Sequence, residues 1–173
     1  MKFFALIWLV LFFAVAGCNE AGNNTPAKKK FVSEKSLIKA NRYLARTEKE
    51  TIDNYITRHN LKMKSTGTGL RYMIIKHGNG AKAKKGDVAV IEYTVRLITG
   101  DVVYSSKQSG VKEFRIGKGG VESGLEEGIL MLKKGDIAKF ILPSHLAFGL
   151  HGDDNKIPPK MPIVYDVELK DLK

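Results

Sequence analysis

Few side chains in this sequence have the type and spacing that bond-making chemistry needs. The four histidines, His59, His77, His145 and His151, are scattered, and only folding could bring the last two together at a metal. Glu126 and Glu127 are adjacent acids in an expected helix, where successive side chains point about 100° apart, so they read as solvated surface rather than as a catalytic pair. Cys18 is the sole cysteine, which rules out a disulfide within one chain. No metal and no cofactor are expected, and no nucleophile motif is present.

Cys18 has a different reading. Lys2 is followed by an unbroken apolar run from Phe3 to Ala16. That run is shorter than the roughly 20 residues a membrane span takes. It fits the about 7–15 apolar residues of a secretory signal. Val15-Ala16-Gly17-Cys18 resembles a bacterial lipobox, which implies a signal peptide over residues 1–17, cleavage before Cys18 and lipidation of its thiol. One acyl chain anchors only marginally; a lipoprotein cysteine supplies several. The formal net charge is +11, and loss of Lys2 leaves a strongly basic mature chain. Such a balance suits nucleic acid, anionic lipid or an acidic partner, and export argues against nucleic acid. A solvated basic surface is the simplest reading. Trp8 leaves with the signal, so an aromatic pocket must come from tyrosines and from Phe31, Phe114, Phe140 and Phe148.

Residues 18–33 are polar, with Pro26 and a lysine triplet, and read as a tether. Residues 34–60 read as a helical lead-in: Ser33 is a candidate cap, and Ile38, Ala45, Ile52, Tyr55 and Ile56 recur at helical spacing. Thr47 and Glu50 form a second capping signal, which leaves one bent helix or two short ones open. Residues 61–85 read as a linker with a strand at 70–76. From Val88 the period becomes two. Ala89, Ile91, Tyr93, Val95 and Leu97 share one face of a strand, and similar alternation marks 101–104, Phe114 to Ile116, 137–142 and 163–169. Between them, Val121, Leu125, Ile129 and Leu132 predict a one-sided helix of about three turns. Gly124 and Gly128 inside it cost helix stability, which points to a close approach on that side. Many strands and one short helix, without strand–helix alternation, predict an α+β fold in which an antiparallel sheet covers a helix.

Six pieces then stand in one order: Gly86-Asp87 before VIEYT, Gly117, Gly124-Leu-Glu-Glu-Gly128, LPSHLAFG at 142–149, IPP at 157–159 and VYDVEL at 164–169. Together they resemble the FKBP family of peptidyl-prolyl cis/trans isomerases over residues 86–173. The helix and Ser65–Tyr72 are similar to the lead-in of exported members such as macrophage infectivity potentiator. The lipid-anchored architecture with a short lead-in resembles the gliding-motility-associated lipoprotein isomerases.

The resemblance implies a proline pocket made of Tyr93, Val103, Phe114, Val121, Glu122, Leu125, Phe148, Ile157 and Tyr165. Tyr93, Tyr104 and Phe148 stand at its catalytic positions, Leu125 forms the floor, and the Glu122 backbone N–H holds the substrate carbonyl. This chain departs from the family pattern at three points. Val103-Tyr104 replaces Phe-Asp, Leu125 replaces Trp, and Phe148 lacks a tyrosine hydroxyl. The expected pocket is therefore wider and less polar, with weakened catalysis and weak binding of immunosuppressant macrolides. The implied partners are proline-containing exported proteins and a membrane reached through Cys18; a weak dimer through residues 34–60 is a separate expectation from the helix. Asn19, rather than Asp, after Cys18 implies by analogy passage beyond the inner membrane, and an outer-membrane location facing the periplasm is the expectation. A binding module with reduced catalysis, serving gliding motility or secretion machinery, is the competing function.

Overall fold

The computed structural model describes residues 33–173. The signal peptide, Cys18 and the tether up to residue 32 lie outside the described residues. The elements are helix α1 (Glu34–Arg58), strands β1 (Lys64–Ser65), β2 (Arg71–Lys76), β3 (Val88–Leu97) and β4 (Val102–Ser105), the single turn α2 (Ser106–Ser109), β5 (Lys112–Arg115), α3 (Ser123–Ile129), β6 (Ile137–Leu142), a 3-10 turn (Ser144–Leu146) and β7 (Ile163–Leu172).

The two longest strands form the spine. β3 and β7 pair antiparallel from Ala89↔Leu172 to Leu97↔Ile163. β6 pairs with the far edge of β7, and β2 and β1 continue the sheet. On its other edge β3 meets β5 at residues 88–91 and β4 at 94–96. Tyr93 falls between these two partners. Its N–H donates to Ser106 Oγ at 3.2 Å, and the same hydroxyl donates to the Tyr93 carbonyl at 3.3 Å. A buried main chain needs its polar groups paired, and Ser106 supplies what a strand otherwise would.

The alternation in β3, β6 and β7 sends Ile91, Tyr93, Val95, Ala138, Phe140, Leu142, Tyr165 and Val167 to one face, where they bury Leu125 and Ile129 of α3. The α+β architecture, with an antiparallel sheet around one short helix, is therefore observed. The helix itself is shorter than its pattern predicts. Val121 precedes it, and after Ile129 the chain tightens into i→i−3 bonds, Met131 to Gly128 at 3.0 Å and Leu132 to Ile129 at 2.9 Å, which still deliver Leu132 to the core. The glycines do mark a close approach. A Cβ at Gly128 would lie 2.7 Å from the Phe140 ring, and one at Gly124 would lie 2.7 Å from Leu142.

The outer face carries α1, which is one continuous helix. Thr47 lies inside it, with its hydroxyl donating to the Tyr43 carbonyl at 3.1 Å, so it starts no second helix. Asn60, at φ 49°, turns the chain away. Only the C-terminal half of the expected apolar stripe is covered: Ile52 and Tyr55 pack with Ile98, Ile141 and Val164. Ala45 and Ile38 are exposed, contrary to the helical pattern. The reason is length. Twenty-five helical residues span about 37 Å, whereas the apolar patch of Ile98, Ile141 and Val164 that they meet takes only Ile52, Tyr55 and Ile56. Asp53 pins the docked half. It accepts from Lys49 at 2.6 Å and Arg71 at 3.1 Å, and these bonds, led by Lys49, hold its carboxyl below the usual range against the opposing effect of burial.

Candidate active site

A cavity of about 340 Å³ opens at the end of the sheet core, lined by Tyr93, Val95, Tyr104, Lys112, Glu122, Phe148, Asp153, Asn155 and Tyr165. Five residues expected from the resemblance meet here: Tyr93 from β3, Tyr104 from β4, Glu122 just before α3, Phe148 after the 3-10 turn and Tyr165 from β7. The Tyr93 and Tyr165 rings stand 6.3 Å apart, tilted by 43°. Val103, Phe114, Val121, Leu125 and Ile157 belong to the core cluster behind them. Leu125 is fully buried, so it supports the wall from within the core rather than forming an open floor. Two further cavities, about 330 and about 560 Å³, flank α1 and hold none of the expected site residues. Among the described residues no group of three or more His, Cys, Asp or Glu could hold a metal.

The expectation of a less polar pocket is overturned. The acid missing at position 104 is replaced from elsewhere in the chain. The loop after Phe148 folds back and brings Asp153 to the Tyr104 hydroxyl, which donates to Asp153 Oδ2. The other carboxylate oxygen accepts from the N–H groups of Ile157 at 2.7 Å and Asn155 at 3.0 Å. Burial alone would push the Asp153 carboxyl up. These hydrogen bonds, led by Tyr104, outweigh it and hold the group below its ordinary value. The same bond, more than burial, pushes the Tyr104 hydroxyl up. Tyr104 is thus committed to the loop, and the Lys156 ammonium sits 5.2 Å from its ring centre while donating to the Val103 carbonyl at 3.1 Å.

Glu122 is the second acid. Its Oε1 accepts from the Tyr165 hydroxyl at 2.9 Å. Burial first, then the Glu122 charge, push the Tyr165 hydroxyl far above its usual range, so it remains a donor. The Glu122 carbonyl starts α3 by accepting from Leu125 and Glu126, and no backbone carbonyl among the described residues accepts from its N–H. Lys112 lies over the Tyr93 ring, 5.1 Å from its centre.

Phe148 is positioned from a distance. The Glu48 carboxylate on α1 accepts from the Ser144 N–H and, at 3.1 Å, from the Ser144 hydroxyl. The Ser144 carbonyl in turn accepts from Ala147 at 3.0 Å and Gly149 at 2.7 Å, on either side of Phe148. Glu127 is not bare surface, since Thr68 donates to it at 2.8 Å; Glu126 accepts from the Gly119 N–H at 3.1 Å.

Sequence reasoning missed Asp153, Asn155, Lys112, Ser106 and Glu48. Gly152-Asp153-Asp154-Asn155 signals a turn, but nothing in it names Tyr104 as the partner.

Residues 79–170 match the family model described as FKBP-type peptidyl-prolyl cis-trans isomerase. The chain belongs to this family. It is 35% identical over 145 residues to the probable FKBP-type peptidyl-prolyl cis-trans isomerase FkpA of Neisseria meningitidis serogroup B, covering 81% of this chain and 53% of that protein. It is 38% identical over 112 residues to FkpA of Escherichia coli K12, covering 64% and 40%. Among solved structures, that of FkpA from Escherichia coli superposes with a TM-score of 0.66 at 33% identity, over 80% of this chain and 64% of that one. The structure of AtFKBP13 superposes with a TM-score of 0.62 at 29% identity, over 65% and 99%. The chain spans about half the length of the curated relatives it matches.

Proposed function

We propose that this chain is a peptidyl-prolyl cis/trans isomerase that assists the folding of exported proteins in the bacterial envelope, held at the membrane by lipid on Cys18. The carrying observation is the cavity walled by Tyr93, Phe148 and Tyr165 beside a Glu122 N–H that no backbone carbonyl among the described residues engages. Isomerising X-Pro makes and breaks no bond. The barrier is about 18–20 kcal/mol of amide resonance, and the two isomers differ by only about 1 kcal/mol. An apolar wall that accepts the twisted, less polar amide and a donor aimed at its carbonyl are enough. No ion or cofactor enters this account.

The test is acceleration of proline tetrapeptide exchange and of a slow-refolding protein by the purified chain in detergent. Phe148→Ala should reduce both. No acceleration on either substrate defeats this reading.

A binding module that holds clients or a gliding or secretion machine is the second reading. It is favoured by Leu125 lying fully inside the core and by Tyr104 being spent on Asp153. Such a module binds proline peptides without speeding exchange. Incorporation of labelled palmitate, lost in Cys18→Ala, tests the anchor, and fractionation of the labelled protein tests the outer-membrane assignment. Self-association through the exposed Leu37, Ile38, Tyr43 and Leu44 of α1 predicts a mass that rises with concentration in sedimentation.

A further inference from the structure

Among the described residues, one buried side-chain oxygen or nitrogen has no hydrogen-bond partner: Glu122 Oε2. It belongs to a residue that lines the proline cavity. The Tyr165 hydroxyl has a single proton, which is given to Oε1. The other charged groups at this cavity are already engaged. Asp153 has three donors, and Lys112 stands over the face of Tyr93. Lys156, close by, donates to the Val103 carbonyl. Among the described residues Glu122 forms no ion pair.

A carboxylate oxygen out of water and without a donor is costly, and folded proteins leave very few such groups. Packing does not require a charge here: the buried Tyr165 hydroxyl needs an acceptor, which a neutral amide oxygen would supply as well. A substrate peptide offers two kinds of donor, main-chain N–H groups and the side chains of Lys or Arg. The cation answers the charge as well as the lone pair, and its bond is the stronger one. We infer that Glu122 is a specificity-determining residue, whose unpartnered oxygen, covered in the free chain, turns to a lysine or arginine flanking the proline of a bound peptide. This rests on the isomerase-fold pocket proposed above and adds its substrate class.

The experiment uses the full chain in detergent. Isomer exchange of tetrapeptides is followed by NMR, without a coupling protease, for Lys-Pro and Arg-Pro peptides and for their norleucine-Pro and Glu-Pro counterparts. Pro-Lys and Pro-norleucine peptides form a second pair. Affinities for the same peptides are measured by titration. The expected result is about tenfold tighter binding of basic than of norleucine peptides, the scale of one charge-assisted hydrogen bond. Norleucine in turn should bind better than Glu. The basic-to-norleucine ratio should fall to about one in both Glu122→Gln and Glu122→Ile, whatever happens to their absolute rates. Lys112→Met should widen it by removing a competing cation.

Equal affinity of basic and norleucine peptides overturns the inference. So does a ratio that survives Glu122→Gln, or one that appears only in Lys112→Met, which would mean that Lys112 occupies the oxygen in solution. If no peptide is accelerated, the catalytic reading fails, and the affinity ratio still decides the role of Glu122. Two substitutions guard against misfolding in either one, and each is compared only when its thermal unfolding remains cooperative.

Discussion

Asp136 and Glu122 each put carboxylate oxygens out of water, and the two regions treat them differently. Asp136 lies in the turn before β6. Its Oδ1 accepts from the Gly78 N–H at 2.7 Å and its Oδ2 from the Lys133 N–H at 2.8 Å, so the charge bolts the loop after β2 to the start of β6. Both oxygens are used, and both donors are main chain. Among the described residues, Glu122 has one side-chain donor for one oxygen and nothing for the other. A saturated carboxylate stabilises a fold, whereas a half-saturated one is a place where the fold has left work for a ligand. Asp153 stands between them: it lines the same cavity as Glu122, yet it is filled by Tyr104, Asn155 and Ile157 like a structural acid.

The contrast can be broken at either end. Asp136→Ala leaves two inward N–H groups without acceptors and should cost about 3 kcal/mol. The urea midpoint measures it, and the ratio of basic to norleucine peptide affinity should stay where it was. Tyr165→Phe strips the remaining donor from Glu122 and should cost about 1–2 kcal/mol, read the same way. Glu122→Ile removes a buried acid whose partners were incomplete but leaves the Tyr165 hydroxyl without its acceptor, so it should cost about 1 kcal/mol, clearly less than Asp136→Ala. A loss comparable to Asp136→Ala would show that Glu122 is structural and end the comparison.

The smallest effect concerns acid. The folded Asp153 carboxyl sits below its unfolded value. Its contribution is therefore complete above the unfolded value of about 3.9 and is lost as pH falls through the lower folded value. Tyr104→Phe removes a bond that depresses it, so the midpoint of the variant should fall less between pH 5 and pH 2 than that of the parent chain. A steeper fall would contradict the assignment.

Glu48→Ala extends the comparison to a fourth acid, one that reaches the pocket indirectly. It should weaken peptide binding modestly through Phe148 while leaving the preference for basic residues intact, which titration with both peptide series checks. Loss of that preference would mean that α1 also controls the Glu122 wall.

The strands were legible because burial on one face imposes a period of two that β3, β6 and β7 display residue by residue. Gly124 and Gly128 were legible as close approaches because glycine inside a helix needs a reason, and Phe140 and Leu142 are that reason. The length of α3 was not legible, since Leu132 stays in the core through tight turns that keep the helical spacing. The covered half of α1 was not legible either: Ile38 and Ile52 look equivalent in the pattern, and only the extent of the sheet separates them.

Residue pattern alone carries the alternation that builds the sheet, the helix that fills it and, through the family's ordered motifs, the aromatic walls at Tyr93, Phe148 and Tyr165. Those depend on local period and residue type, which the chain carries at every position. The electrostatics of the pocket come from contacts made in the fold. Tyr104 meets Asp153 across 49 positions, Tyr165 meets Glu122 across 43, and Ser144 meets Glu48 across 96. Hydrogen bonds between side chains at such separations leave no periodic trace, because each partner is chosen by where loops close in space. A pocket that reads as stripped of its acid in the sequence holds two in the fold, one filled and one open.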